Sequence, residues 1–225
     1  MNKKIMIVIA VLAVIALFIA LTPHEKPIDN NDMLPWNITH PSPDAIHVIG
    51  ITLGLSTLAD AERNFKQAAE ISIFKSTDSK IIIEARFQNI NPQELKANVT
   101  LTMEIPSFEL PGLFSRSSHM NSAAAASGQH FALIPDDLLR VRSASILSLS
   151  YLADAPMNEA YLIKNFGNPA KRVRDTKSGA IHWLYPQLGL DITLNANEKP
   201  LLEYLQSTDF ELQSTSLLAQ GEILK

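Results

Sequence analysis

The chain of 225 residues contains no cysteine, and this absence excludes several classes of protein at once. Disulfide bonds, thiolate metal sites, thiol nucleophiles and a lipid anchor on cysteine are all impossible. The formal net charge is −4, so the basic excess that marks nucleic-acid binding is missing too. The eight glycines form neither a phosphate-binding loop nor a dinucleotide fingerprint.

Patterns that carry catalysis or metal binding are also lacking. The six histidines include no pair four residues apart and no HExxH motif. The segment from Gly54 to Leu58 lacks the final glycine of a nucleophile elbow, and Asp136 with Asp137 follows Pro135 at a predicted helix start. We therefore expect no enzyme, no catalytic residue, no cofactor, no metal and no nucleic-acid partner.

An apolar run from Ile5 to Leu21, preceded by Lys3 and Lys4, is the first feature that the chain does possess. Its length corresponds to about 26 Å of helix, close to the ~30 Å core of a bilayer. The two lysines favour a cytoplasmic N-terminus. A cleaved signal peptide is the alternative, but its apolar region is shorter and ends in small residues. The run predicts a signal-anchor at 5–22 and a single-pass inner-membrane protein with its body in the periplasm.

Residues 23–44 follow, with prolines at 23, 27, 35, 41 and 43 and no helical or strand period. This composition predicts a tether. Leu34, Pro35 and Trp36 are apolar enough that we expect them to pack on the body of the protein. A partner-binding role for Trp36 is the alternative.

The body contains an apparent internal repeat, because residues 56–84 align with residues 157–185 at a constant offset of 101. Each copy predicts one helix followed by a hairpin, and the first helix has Thr57 and Asp60 as N-cap and N3 partner. The expected fold class is α+β: an N-terminal transmembrane helix, then two helix-plus-antiparallel-sheet units, a possible duplication. The predicted segments are a cytoplasmic tip at 1–4, the anchor at 5–22, the tether at 23–44, a first unit at 45–106, a connecting insertion at 107–143, a second unit at 144–218 and a tail at 219–225.

Strands are expected after each helix. Val99, Leu101 and Met103 alternate with polar residues, which is typical of a half-buried antiparallel strand. Lys177 to Gly179 predicts a hairpin turn in the second unit. Residues 107–128, which are rich in serine and alanine, predict a loop or a short helix.

The second unit resembles the BamE (SmpA/OmlA) family of small envelope proteins. The resemblance covers about 50 residues. It rests on a helix ending in Phe166–Pro169, then Arg172, then Trp183–Tyr185 and an apolar strand. That family implies an α+β fold and a non-enzymatic role in outer-membrane protein assembly, although its lipidation cysteine is absent here. The whole chain also resembles a group of proteobacterial single-pass membrane proteins, through Leu34–Trp36 and Gly50–Ala61, and this likeness implies no activity.

The leading hypothesis is therefore a membrane-anchored periplasmic adaptor that binds an envelope protein without catalysis. A periplasmic module for a small ligand or lipid is the alternative, with a pocket between the units near Trp183, Tyr185 and Phe131. Arg172 and Arg174 project from one strand face and could bind an anionic partner, although a solvated sheet edge explains them as well. The candidate binding residues are Trp36, Trp183, Tyr185, Arg172 and Arg174.

Overall fold

A single antiparallel sheet of eleven strands forms the frame of the molecule. The computed structural model describes residues 30–117, 122–125, 128–196 and 198–224. Within these ranges the strand order in the large sheet is β14-β10-β11-β12-β13-β9-β6-β5-β4-β8-β7, and β1, β2 and β3 make a small second sheet. The strands are β1 (Thr39–Ser42), β2 (Ala45–Val48), β3 (Ile51–Thr52), β4 (Glu70–Ser76), β5 (Ile81–Ile90), β6 (Ala97–Met103), β7 (Ser122–Ala125), β8 (Gly128–Ala132), β9 (Ile146–Ala153), β10 (Lys171–Arg174), β11 (Ile181–Tyr185), β12 (Leu190–Leu194), β13 (Leu201–Leu205) and β14 (Glu222–Leu224).

The α-helices described are short. They are α1 (Leu58–Phe65), α2 (Leu110–Ser117), α3 (Pro135–Arg142), α4 (Glu159–Phe166) and α5 (Ser207–Gln220). Thr57 and Asp60 form a capping box at the start of α1, as the sequence predicts. Short 3-10 helices lie at Asn30–Met33, Pro92–Glu94 and Pro186–Leu188.

The two faces of the large sheet differ in what covers them. On one face, apolar side chains of β4–β6, β8, β9 and β11–β13 pack with residues of α1–α4 and of the small sheet in one hydrophobic core. On the opposite face, α5 packs through Phe210 against Val173 and Leu184. The predicted alternation in β6 is confirmed, since Val99, Leu101 and Met103 are buried and the residues between them are partly exposed. We call the first face the core face and the second the α5 face.

The predicted division into two sheet units is wrong. Strand β9 pairs with β6 along one side and with β13 along the other, so the strands of both segments belong to one continuous sheet. Leu149 and Tyr151 of β9 are fully buried between the two halves. The junction therefore lies in the middle of the core rather than at a boundary between units.

The two aligned segments of the apparent repeat also differ in the pairing of their hairpins. Helices α1 and α4 keep the offset of 101, but the hairpins that follow do not. Trp183 lies opposite Arg172 in the second hairpin, whereas Ala85 lies opposite Ile71 in the first. Trp183 therefore occupies the place of Ala85, not that of Ile82.

The prediction of a membrane-spanning helix also requires correction. Across the described ranges, no helix is both long and apolar enough to cross a membrane. The longest, α5, has 14 residues and extends about 21 Å, less than the ~30 Å core. The proposed tip at 1–4 and the anchor at 5–22, with the inner-membrane contact assigned to it, lie outside the described residues. We therefore do not retain the transmembrane helix in the fold class. We also do not retain the signal-anchor or the single-pass inner-membrane localisation with a periplasmic body.

Parts of the segment 34–48 pack on the body of the protein, although β1 within it is exposed. Pro35 is buried, and its carbonyl oxygen accepts a hydrogen bond of 2.6 Å from the hydroxyl of Tyr204 on β13. Trp36 packs edge-on against Tyr161 and Phe166 of α4, with ring centroids 5.9 and 6.4 Å away. The expectation that Leu34–Trp36 packs on the body agrees with these contacts.

We expect Tyr204→Phe to lower the free energy of unfolding by about 1–3 kcal/mol, because the Pro35 carbonyl would be left buried without its donor. Urea denaturation followed by circular dichroism measures the change. Tyr161→Phe is the matched control, since the Tyr161 hydroxyl makes no hydrogen bond within the described residues and only about a few tenths of a kcal/mol should be lost. Equal effects from the two variants would contradict the role assigned to the Tyr204 hydroxyl.

Candidate functional site

Four of the five predicted binding residues lie together, and two of them are buried whereas Trp36 and Arg172 are partly exposed. Trp183 and Tyr185 are 3% and 4% exposed, on the core face of β11. The rings of Tyr185 and Trp36 both contact Phe166, and the guanidinium of Arg172 lies 4.1 Å from the centre of the Trp183 ring. These contacts make an aromatic cluster inside the protein, so an interface role for these four residues remains a prediction.

The two arginines have carboxylate partners. Arg172 pairs with Glu159 at the start of α4. Arg174 pairs with Glu222 of β14 at 3.5 Å, where β14 lines the edge of β10. Phe131, the third residue of the expected ligand pocket, lies on β8, and six strands separate β8 from β11 in the sheet. The structure therefore does not bring Phe131 together with Trp183 and Tyr185.

A serine, a histidine and a glutamate meet on the α5 face, where β8, β4 and β5 lie side by side. Ser72 Oγ lies 3.2 Å from His130 Nδ1, and Glu84 Oε2 lies 3.8 Å from the same nitrogen. The other ring nitrogen, Nε2, is 3.4 Å from the Arg86 guanidinium. Because a guanidinium only donates, His130 Nε2 must act as the acceptor and Nδ1 as the donor.

This arrangement cannot activate the serine. A catalytic triad places the serine and the carboxylate on opposite nitrogens of the imidazole, whereas here both approach Nδ1. Burial and the charge of Arg86 lower the pKa of His130, and burial raises the pKa of Glu84. The serine therefore faces an N–H donor rather than a base, and the cluster lacks the geometry of a nucleophilic site.

Metal binding finds no better support. Among the residues that the structure describes, no group of three or more histidine, aspartate or glutamate side chains is arranged to hold a metal ion.

Three exposed large apolar side chains belong to α3 or to segments next to it. Phe108, just before α2, is 82% exposed, Leu139 on α3 is 75% exposed, and Leu55, before α1, is 69% exposed. Next to them is a cleft of about 460 Å³. Its lining residues are Glu104, Ile105, Pro106, Arg140, Ser143, Ala144 and Ser145. We call the three apolar side chains and this cleft the Phe108 surface.

Backbone hydrogen bonds hold the three segments of this surface side by side. The Glu104 N–H donates to the Ser145 carbonyl at 2.8 Å, and the Leu58 N–H donates to the Ala144 carbonyl at 3.3 Å. The Gly54 N–H donates to the Ile146 carbonyl at 2.8 Å, next to Leu55. The floor of the cleft is therefore continuous with the large sheet through β6 and β9.

Two bidentate ion pairs fix α2 and α3 relative to each other. The guanidinium of Arg140 donates to both oxygens of Glu109, at 3.0 and 3.1 Å. The guanidinium of Arg116 donates to both oxygens of Asp137, at 3.0 and 2.8 Å. Such fork-like pairs impose orientation as well as attraction. Phe108 and Leu139 are chain neighbours of Glu109 and Arg140, so their backbone positions are held by the first pair.

This surface was not predicted from the sequence, although the apolar pattern of α3 indicates it. Leu138 and Val141, three residues apart, form the inward stripe of the helix, and Leu139 lies off that stripe. An apolar residue out of phase with its helix is a candidate contact residue. Phe108 offered no comparable signal, because it lies in an irregular segment.

Fold and site together define a class: an antiparallel α/β sheet protein with a rigid, partly apolar surface. Comparisons of the chain with protein-family models, with curated proteins and with solved structures found no match. The function is therefore inferred from the geometry of the described residues.

Proposed function

We propose that the protein is a non-catalytic adaptor that binds a protein partner at the Phe108 surface. The observation that carries this proposal is the 82% exposure of Phe108 beside a helix whose Leu139 is also exposed. Burying such a side chain in an interface is worth about 1.5–3 kcal/mol. Aromatic residues at the centre of an interface supply much of its binding energy.

The rigidity of the surface supports the same proposal. The Arg140–Glu109 and Arg116–Asp137 pairs order α2 and α3 before any partner arrives. A preordered surface loses less conformational entropy on binding, so more of the contact energy appears as affinity. Carboxylate and guanidinium groups next to exposed apolar side chains also match the arrangement of an interface, in which an apolar centre has a polar rim.

A non-catalytic role is favoured over an enzymatic one by the Ser72–His130–Glu84 cluster. This cluster is the arrangement most similar to a catalytic site that we find in the described residues, and its serine faces the donor nitrogen of the histidine. The adaptor role is thus the one that the exposed and buried groups support best.

The test compares two double variants in quantitative capture from a lysate of the source cells. Phe108→Ser with Leu139→Ser removes the centre of the Phe108 surface. Leu212→Ser with Ile223→Ser is the matched control, because these side chains are 74% and 58% exposed elsewhere. We expect one protein whose recovery falls about tenfold or more with the first pair and is unchanged with the second.

The binding constant of that protein, once purified, supplies the second measurement. Phe108→Ala alone is expected to weaken its affinity by about ten- to thirtyfold, corresponding to roughly 1.4–2 kcal/mol. Both double variants should keep the circular dichroism spectrum of the unaltered protein, because all four side chains are exposed. The proposal fails if no captured protein distinguishes the two variants, or if the control pair reduces capture as strongly.

A further inference from the structure

The C-terminal helix α5 is attached to the sheet by few apolar contacts. Of its 14 residues, only Phe210 is buried. Leu217 and Leu218 are partly buried beside Val173 and Leu184, whereas Leu212 is exposed to solvent. A helix with so small an apolar contact depends on additional interactions to stay in place.

Those interactions come from a polar cluster beneath the helix. His182 on β11, Asp191 on β12 and Glu203 on β13 lie side by side on the α5 face. His182 Nδ1 is 2.8 Å from Asp191 Oδ2. Gln213 of α5 contacts the cluster, with its Nε2 3.3 Å from Glu203 Oε2 and 3.5 Å from Asp191 Oδ2. One amide group of the helix therefore meets both carboxyl groups.

The two carboxyl groups oppose each other. Asp191 and Glu203 are register partners across two antiparallel strands, a position at which two like charges repel. Asp191 is 1% exposed, and its second oxygen, Oδ1, is buried without a hydrogen-bond partner among the described residues. A proton on Glu203 would remove this repulsion. The geometry of the cluster thus favours a protonated Glu203 beneath the helix.

We propose that a proton on Glu203, held in the His182–Asp191–Glu203 cluster, controls the docking of the α5–β14 segment, which is closed at mildly acidic pH and opens as the pH rises. Opening would uncover Val173 and Leu184 and free the edge of β10, where β14 pairs. Opening of the segment therefore exposes a sheet edge and an apolar face. Both lie at the end of the large sheet that is far from β8.

Glu203 is the group whose proton favours docking. Burial and the nearby Asp191 raise the pKa of Glu203, so the docked state binds that proton more tightly than the open state. Burial tends to lower the pKa of His182, but the hydrogen bond to Asp191 and its charge raise it, and Asp191 lies on the sheet whether α5 is docked or open, so His182 does not drive docking. A group whose pKa is raised in the docked state stabilises docking below its ordinary pKa and ceases to do so as the pH rises through the raised value. For Glu203 the loss begins above its ordinary pKa of about 4.5.

Other charged groups do not reverse this sign. The charge of His182 lowers the pKa of Glu203, but burial and Asp191 outweigh it, and Asp175, in the turn after β10, acts on His182. Val173, on β10 opposite His182, is apolar, and α5 contributes the uncharged Gln213. His130 lies at the other end of the strand order, and its pKa is lowered, so it responds in the opposite sense. A measurement local to α5 is therefore needed.

Hydrogen–deuterium exchange of the intact chain, followed by mass spectrometry between pH 4.5 and 8.5, is that measurement. After correction for the intrinsic exchange rate, protection reports the equilibrium between docked and open helix. We expect the protection of peptides from 207–220 to fall about tenfold over this range, since one pKa unit at one group corresponds to a factor of ten. Peptides from α1 serve as the internal reference and should keep their protection.

Three variants separate the cluster from other causes. Glu203→Gln removes the titration and should abolish the pH dependence, whereas His182→Gln should leave a pH dependence in place. Glu211→Gln changes an exposed carboxyl group on the same helix and should behave like the unaltered chain. The proposal is overturned if α5 protection is independent of pH in the unaltered chain, if α1 loses protection in parallel, or if Glu203→Gln keeps the full pH dependence. The first two readings need no variant to fold.

Discussion

Trp183→Ala is expected to lower the free energy of unfolding by about 3–5 kcal/mol, the range found when a large buried ring is truncated in a core that cannot collapse. Trp183 is 3% exposed and lies opposite Ile192 in the middle of the C-terminal half of the sheet. Its ring is also the surface on which the Arg172 guanidinium rests, so the substitution leaves that cation without its aromatic contact. Guanidinium denaturation of the purified variant measures the loss.

Trp36→Ala is the comparison that separates a core tryptophan from an interface one. Trp36 is only partly buried and contacts Tyr161 and Phe166 by ring edges, so its truncation should cost clearly less than that of Trp183. If Trp183→Ala were to cost under about 1 kcal/mol while abolishing partner capture, the ring would be a binding residue and our assignment to the core would be wrong.

The second large effect is expected at Gly189, which joins the 3-10 helix at Pro186–Leu188 to β12. Its φ is +57°, and a Cβ at this position would collide with Ile46 of β2 and with the carbonyl oxygen of Leu205 on β13. Gly189→Ala therefore combines left-handed backbone strain with overpacking, and we expect a loss of about 2–4 kcal/mol. The thermal unfolding midpoint, with the heat of unfolding, measures it.

Gly179→Ala is the matched control for this prediction. Gly179 also has a positive φ, +76°, but a Cβ there would meet nothing within 4 Å. Its cost should reflect backbone strain alone, about 1–2 kcal/mol. If both alanine variants lose the same stability, the contact between the small sheet and the large one contributes nothing at Gly189.

Local features of this fold could be predicted from the sequence because they depend on neighbouring residues. Thr57 and Asp60 cap α1 through contacts three residues apart, and the alternation of Val99, Leu101 and Met103 reflects a strand with one buried face. The turn predicted at Lys177–Gly179 is also present, closed by the Gly179 N–H donating to Asp175. In each case the information lies within a few residues of the chain.

The sheet order could not be predicted in the same way. Nothing in residues 146–153 indicates that β9 pairs with β6 and with β13 rather than with its neighbours in sequence. That choice depends on which apolar faces fit together after collapse. The Phe108 surface was not predicted for a related reason, because the exposure of a side chain is a property of the folded shape. Nothing in the sequence distinguishes Phe108 from a buried apolar residue.

The central position of β9 has a consequence for how the chain reaches its native state. Strands β4 to β6 and β10 to β13 are meanders whose contacts close short loops, which costs little chain entropy. The pairing of β6 with β9 closes a loop of more than 40 residues, between Met103 and Ile146. That closure gains its compensating core contacts only when Tyr151 is covered from both sides. We therefore expect the two meanders to form first and the pairing of the middle strand, which completes the core, to limit the folding rate.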